Sequence, residues 1–296
     1  MMWIWLACTA AAPEDTAAQH TGSEAIKRFS FAIIADPHVT TNDDHDLRLQ
    51  AAVEATNARI ESDGIELVFV LGDIAWGDGY SLAHAALDAL AVPWIPVLGD
   101  NPIQVGEEDH FATTFDPQFD ELAAEFSSWV RAPVPVYNPE HDTDSWLQNA
   151  WLDHGGVRFV TVDWNSREMG IIGEMPDLHD FSGGTLPFLA DALDTLPDGP
   201  DKRVVLLSHM APFPAAGGLT LEEQDTLFAL LQPHTDAVWG NHAGHLHFNS
   251  DLYWEALDFE IMTTDATWDD VNTVRIVDVL SNERSFFYQD RFIELK

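Results

Sequence analysis

The sequence predicts an α/β fold, and three observations carry that reading. Short runs of apolar residues recur along the chain, each of strand length and each stopped by a turn former. Between them lie polar stretches with apolar residues at helical spacing, the alternation that gives parallel strands joined by crossover helices. Aspartates and histidines stand directly after the apolar runs, at the edge where open α/β sheets place their ligands.

The first run, Phe31-Ala-Ile-Ile-Ala-Asp-Pro-His38, begins with five apolar residues and reads as a central strand covered on both faces. Asp36 and His38 leave it on either side of Pro37, which fixes φ and removes a backbone donor, so both sit in a stiff turn. Asp46 to Ile60 reads as a helix on Leu47, Leu49, Val53 and Ala55. Leu67–Leu71 is a second buried strand closing on Gly72-Asp73, Ser81–Leu90 a short helix, and Trp94–Leu98 a third strand closing on Gly99-Asp100-Asn101. From Pro102 to Gly156 the pattern blurs. Pro133, Pro135 and Pro139, many acids, and Trp129, Trp146 and Trp151 predict a long lid-like insertion over the strand ends, about 102–156, helical over about 117–130. Strands resume at Val157–Asp163, Arg203–Leu207 (ending in Ser208-His209) and Thr235–Trp239 (ending in Gly240), separated by helices over Leu186–Leu196 and Leu221–Leu231. After Gly244-His-Leu-His247, runs at 252–262, 273–280 and 285–293 are expected to be antiparallel strands of a second sheet.

At 296 residues, 46% hydrophobic and 21% charged, the chain is of soluble globular type and large enough for a sizeable core. We divide it into a leader and linker over 1–27 and one folded domain over 28–296. Thirteen Lys and Arg against fifty Asp and Glu leave a net charge of −37. Such self-repulsion needs screening, which suits a high-salt setting or the cell exterior, and a nucleic-acid partner is disfavoured because no basic stripe exists. The single cysteine, Cys8, excludes an internal disulfide framework and a thiolate zinc cluster. It follows a short apolar start and precedes a small, polar tether, the pattern of a bacterial lipoprotein signal with a lipid anchor at Cys8 and a cell-envelope or secreted location. No Lys or Arg precedes the apolar run, so the competing reading is a structureless N-terminus and a cytoplasmic protein of a high-salt organism.

The strand ends together hold Asp36, His38, Asp73, Asp100 or Asn101, His209, His245 and His247. One histidine after a strand is ordinarily a cap or a core residue. Three carboxylates and four imidazoles on one edge would be unstable without cations. The mixed oxygen and nitrogen set suits Mn, Fe or Zn rather than calcium. Seven ligands exceed one tetrahedral site and fit two metals sharing a carboxylate.

The sequence here resembles the calcineurin-like metallophosphoesterases, whose signature is Asp-x-His, Gly-Asp, Gly-Asn-His, a later His and Gly-His-x-His. These stand in that order as Asp36-Pro-His38, Gly72-Asp73, Gly99-Asp-Asn101, Ser208-His209 and Gly244-His-Leu-His247, over roughly residues 29 to 280. The resemblance implies a four-layer α/β/β/α sandwich of two mixed sheets flanked by helices, with two divalent or trivalent metal ions at the strand ends. One metal takes Asp36, His38 and His247; the other takes His209 and His245; Asp73 bridges them. The remaining ligand, asparagine in the family, falls on Asp100 by direct match or on Asn101 after a one-residue slip. We prefer Asp100, because its distance from the strand is unchanged.

The implied activity is hydrolysis of a phosphomonoester or phosphodiester by a metal-bound hydroxide, the substrate being a phosphorylated small molecule or a phosphodiester. Asp73, Asn101 and His38 are expected to carry the reaction, with Asn101 also touching substrate. Asn101 stands where the family has a histidine and has no proton to give a leaving group. Gly240-Asn-His242 spells the missing motif out of order; we read it as a loop, with His242 a substitute acid or substrate contact, and Asp109 and His110 as weaker candidates. The tryptophans of the insertion hint at an organic or base-like group on the substrate. The Asn101 departure also motivates an alternative, a degenerate member that binds metal or a protein partner without turnover. An amidohydrolase-like barrel is contradicted by the β-rich tail after 250.

Overall fold

The computed structural model describes residues 25–167, 175–197, 203–213, 218–269, 273–281 and 286–295. Cys8 and most of the segment read as leader and linker lie outside them. In chain order the strands and helices are β1 (Ile26–Ala35), α1 (His45–Asn57), α2 (Ile60–Asp63), β2 (Ile65–Leu71), α3 (Gly79–Leu87), β3 (Trp94–Val97), α4 (Asp100–Gln104), α5 (Glu108–Glu125), β4 (Val130–Arg131), β5 (Val136–Asn138), β6 (Thr143–Ser145), β7 (Ala150–His154), β8 (Val157–Thr161), α6 (Thr185–Asp194), β9 (Arg203–Leu207), α7 (Leu221–Leu231), β10 (Val238–Ala243), β11 (Ser250–Trp254), β12 (Phe259–Thr263), β13 (Thr273–Ser281) and β14 (Phe286–Glu294).

They build two mixed sheets and a small hairpin. One sheet runs β14-β13-β1-β2-β3, the other β11-β12-β10-β9-β8-β7-β4, and β5 pairs with β6. Within each, the strands joined by crossovers are parallel (β1, β2, β3; β8, β9, β10, β12), and antiparallel strands form the flanks. The sheets face each other across an aromatic seam: Phe31 of β1 packs edge-to-face on Phe69 of β2 and on Phe159 of β8, with centroids 5.8 and 5.1 Å away. Helices α1, α3 and α5 add Leu49, Leu87, Phe111, Phe115 and Phe119 to this core. Helices α6 and α7 enclose a second core on the seven-stranded sheet with Leu189, Leu193, Leu227 and Leu231. The result is the four-layer α/β/β/α sandwich. Phe31 to Ala35 are all 0% exposed, so β1 is covered on both faces as its unbroken apolar run requires.

Several expectations need correction. The tail after residue 250 is not one new sheet: β11 and β12 extend the second sheet, while β13 and β14 return to the first. The run 252–262 is broken by a 3₁₀ turn at Glu255–Leu257, after which Asp258 takes a left-handed φ of 51°. The stretch 102–156 is structural rather than a lid, since α5 buries Phe111, Phe115 and Phe119 under β3 and β7 is an inner strand. Its helix runs over Glu108–Glu125 because Pro117 lies on the exposed side, where the carbonyl it leaves unbonded meets water. Gly240 to His242 lie inside β10, paired with β9 and β12, and are no loop. β1 also begins at Ile26, two residues before the expected domain start, because Ile26 and Lys27 pair with Ser281 and Leu280.

Candidate metal centre

Register brings the motifs to one place. Ala35 lies beside Leu71 and Leu71 beside Val97, so Asp36, Asp73 and Asp100 leave three neighbouring strands at the same edge. On the facing sheet Leu207 lies beside His242, and the Gly244 N–H donates to the His209 carbonyl at 3.1 Å. That places His209, His245 and His247 opposite the aspartates. The sheets are stitched across this gap: the His245 N–H donates to both Asp36 oxygens at 3.0 Å, and His209 Nδ1 donates to the Leu71 carbonyl at 3.2 Å.

Two groups result. Asp36, His38 and His247 turn ligand atoms toward one another within 4.8 Å, and so do Asp100, His209 and His245. His38 Nε2 and His247 Nε2 lie 3.9 and 3.5 Å from Asp36 Oδ1; His209 Nε2 and His245 Nδ1 lie 2.7 and 3.2 Å from Asp100 Oδ1. Asp73 stands between, with Oδ2 3.4 Å from His38 Nε2 and Oδ1 3.7 Å from His209 Nε2. Asp100 therefore joins the second group. Asn101 turns the other way, its backbone N–H donating to Asp73 Oδ1 at 2.9 Å and its side-chain amide to Asp73 Oδ2.

The electrostatics are compatible with metal ligation. Asp36, Asp73 and Asp100 are 0, 2 and 3% exposed, and every ion pair they make among the described residues is with an imidazole. Burial, with Asp100 and Asp36 nearby, pushes the Asp73 carboxyl up to about 7. Burial opposes ionisation of Asp100 too, but hydrogen bonds from His209 and His245 hold it well below the usual carboxylate range. Burial lowers His38 to about 4. His209 is pulled down by burial, but Asp73 and its bond to Asp100 raise it to about 10.

These residues fit two cations. The buried Nε2 of His38 has no hydrogen-bond partner although two carboxylates lie within 4 Å, a ring nitrogen that a cation between them would satisfy. His209 donates Nδ1–H to Leu71, which leaves Nε2 directed at Asp73 and Asp100 as an outer hydrogen bond does for a ligating histidine. Five of the eight described non-glycine residues with positive φ are Asp36, His38, Asp73, His245 and His247. Each such conformation costs on the order of 1–3 kcal/mol, and their concentration here marks a functional site. Gly72, at φ 75°, is needed because a Cβ there would overlap the His209 ring; at Gly99 a Cβ would overlap the Asp73 carboxylate.

A proton balance follows from His209. Its folded pKa of about 10 exceeds the ordinary 6.5, so in metal-free protein its stabilising charge is complete below pH 6.5 and is lost as pH rises through 10. A cation must displace that proton. Titrating chelator-stripped protein with Mn²⁺ near pH 8, in buffers of different ionisation enthalpy, is expected to release about one proton, with affinity rising about tenfold per pH unit toward 10. Release of none would mean that His209 does not give up its proton to the metal.

The other candidates lie elsewhere. His242 is fully buried on β10 with its ring 5.7 Å from Phe31 and 5.3 Å from Trp239, and burial pushes its pKa far down, so it is a packed core imidazole. Asp109 and His110 are exposed on α5, His110 packing on Tyr80. Trp151 is buried against Phe188 and Trp129 packs on Phe119, so neither forms a lid. The aromatic wall beside the site comes from residues the sequence did not single out: Trp76 and Trp268 lie 5.4 and 5.5 Å from the His38 ring, and Trp268 lies 5.5 Å from His247. Trp76 stands three residues after Asp73, a local signal; Trp268 is brought in from the far end of the second sheet. Arg48 fixes it by donating to the Trp268 carbonyl at 2.7 Å. Gln104, one turn on from Asp100, donates to Asp100 Oδ2.

No family model and no curated protein matches the sequence. Solved structures do: 92% of this chain aligns with the whole of a dimetal phosphatase from Danio rerio, at TM-score 0.59 and 15% identity. The chain has the calcineurin-like metallophosphoesterase fold. A purple acid phosphatase from yellow lupin seeds also matches 92% of the chain, at TM-score 0.49 and 12% identity; the chain spans 54% of that enzyme. A protein of Thermus thermophilus matches over 92% of this chain and 100% of its own, at TM-score 0.48 and 10% identity. Within a metallophosphoesterase fold, the two Asp/His groups stand at the carboxyl ends of the inner strands, the edge where such sheets hold ligands.

Proposed function

We propose that the chain is a two-metal phosphoester hydrolase. The observation that carries this is the pair of groups Asp36–His38–His247 and Asp100–His209–His245 on either side of one buried carboxylate, Asp73. When bound, two cations supply a water of lowered pKa and neutralise phosphoryl charge. The chain's part is to hold them. Asn101 fixes the Asp73 carboxylate through two donors, Gln104 fixes Asp100, and the Leu71 carbonyl fixes the His209 ring. Trp76 and Trp268 wall the His38 side. The substrate class that suits this is a phosphorylated small molecule or a phosphodiester.

The test is metal content per chain together with hydrolysis of p-nitrophenyl and bis-p-nitrophenyl phosphate, with and without Mn²⁺. Two metals and turnover support the reading, and the ratio of rates selects monoester or diester. Two metals without turnover would favour the degenerate, non-catalytic reading that the Asn101 departure motivates.

Asn101 makes a second expectation. It offers amide donors but no transferable proton, so esters with good leaving groups suffer least. Asn101→His is expected to accelerate alkyl phosphates by about 10²-fold, the lower end for an added general acid, and nitrophenyl esters much less. Equal effects on both would mean that proton donation at this position is not limiting.

A further inference from the structure

Outside the strand-end centre, three described histidines, His84, His179 and His242, have a buried ring nitrogen without a hydrogen-bond partner, and of these His179 alone stands in a cluster with two carboxylates. His179 is 0% exposed and sits at a left-handed φ of 49°, so its ring is fixed in place by backbone and packing. Its Nε2 lies 2.9 Å from the Asn165 carbonyl, which can only accept, so Nε2 carries the hydrogen. Nδ1 is then a bare lone pair, and it has no hydrogen-bond partner. What it faces is acidic. Asp177 Oδ2 lies 3.6 Å away, too far for a hydrogen bond, and a Glu140 oxygen completes a set whose ligand atoms all lie within 4.8 Å of one another.

The surroundings point the same way. Asp177 and Glu140 line a surface cavity of about 310 Å³ whose other lining residues include Asp180, Glu222 and Glu223. Burial keeps His179 in the neutral form despite Asp177, helped by the adjacent Arg167. Burial and Asp177 raise the Glu140 carboxyl. A lone pair and two carboxylates turned on one another repel unless something positive sits between them.

We propose that Glu140, Asp177 and His179 bind a third divalent cation, separate from the strand-end centre. One neutral imidazole with two carboxylates, open to water on the cavity side, suits Mn²⁺ or Zn²⁺ rather than Ca²⁺, which takes oxygen ligands. The role is structural. The cation joins the β5–β6 turn, which carries Glu140, to the segment after Pro176, which carries the other two ligands. That segment is bonded in turn through Asn165, whose Nδ2 donates to the Leu98 carbonyl at 3.0 Å, two residues before Asp100.

The experiment counts Mn²⁺ bound to full-length, chelator-stripped protein by calorimetry and elemental analysis, at about 1 M NaCl, where screening within about 3 Å suppresses diffuse uptake by the acidic surface. Glu140 is exposed, so Glu140→Gln preserves the fold; Glu222→Gln removes a charge from the same cavity without removing a ligand. Wild type and Glu222→Gln are expected to bind one more Mn²⁺ than Glu140→Gln, or to bind it at least about tenfold more tightly, in the range that lost metal contacts produce. Equal uptake by wild type and Glu140→Gln would overturn the proposal. So would an equal loss in both variants, which would mark diffuse binding to the acidic cavity. The result is a difference between chains, so it stands or falls independently of how many cations the strand-end centre holds.

Discussion

Asp73→Asn is expected to abolish hydrolysis and to lower the metal content of the purified protein, while leaving the fold intact. The replacement is isosteric, and Asp73 is 2% exposed, between His38 Nε2 at 3.4 Å and His209 Nε2 at 3.7 Å. Both of its oxygens accept from Asn101. An amide at this position has one acceptor where two are needed, and its NH₂ meets the NH₂ of Asn101. It also withdraws the one negative charge that both ligand groups share. A bridging cation pair contributes several kcal/mol of transition-state charge stabilisation, so a loss of about 10³-fold or more in kcat/KM is expected. The fold should not suffer. Burial already pushes the ionisation of Asp73 up to about 7, so at pH 8 the metal-free wild type carries an unfavourable charge that the amide lacks. The amide also loses the attraction that holds the His209 proton, so the two effects oppose each other and the chelated variant is expected to melt close to the chelated wild type. Normal turnover in Asp73→Asn would remove this residue from the bridging position.

The candidate site residues were legible because most follow a short apolar run, and strand ends are local signals. Asp36, Asp73, Asp100 and His209 each lie within three residues of a strand end, and the parallel order that unites them follows from crossover connections. Register across a long stretch of chain was not legible. An alternating or apolar run says strand but does not say which sheet, and β13 joins β1 through contacts such as Ser30 Oγ to Asp278 at 2.6 Å and Lys27 to Asp278 at 2.7 Å. His242 misleads for a related reason. Its tripeptide spells a ligand motif, yet the residue belongs to an inner strand whose ring faces Phe31 of the opposite sheet. Helix α5 was misplaced by Pro117, whose effect depends on which side of the helix faces water. The left-handed backbone at five positions of the candidate site leaves no signature in residue type beyond the general tolerance of Asp and His for that region.

Arg167→Met is expected to be strongly destabilising. The guanidinium is 6% exposed and grips Asp163 with both terminal nitrogens, at 2.8 and 2.9 Å. It also reaches Glu108 at 2.9 and 3.2 Å and the Asn165 carbonyl. Asp163 is 1% exposed; burial alone would raise its pKa, but Arg167 holds it below the usual carboxylate range. Methionine fills a comparable volume and leaves that carboxylate buried without its cation. Breaking one side of a buried pair costs about 3–5 kcal/mol, which lowers Tm by about 10 °C in a domain of this size. The pH dependence gives the cause away. In wild type the depressed pKa of Asp163 contributes stability that is present above the ordinary 3.8 and lost as pH falls below it. In the variant the buried carboxyl gains from protonation, so its deficit relative to wild type is expected to shrink between pH 8 and pH 5 as Asp163 takes up a proton. Adding Asp163→Asn to Arg167→Met should then recover part of the loss at pH 8, because it removes the charge that was left alone. A deficit that is the same at both pH values and is not relieved by the second substitution would mean that Arg167 acts through packing and its bond to Asn165. In that case the network beside Asp100 would be held by shape rather than by charge.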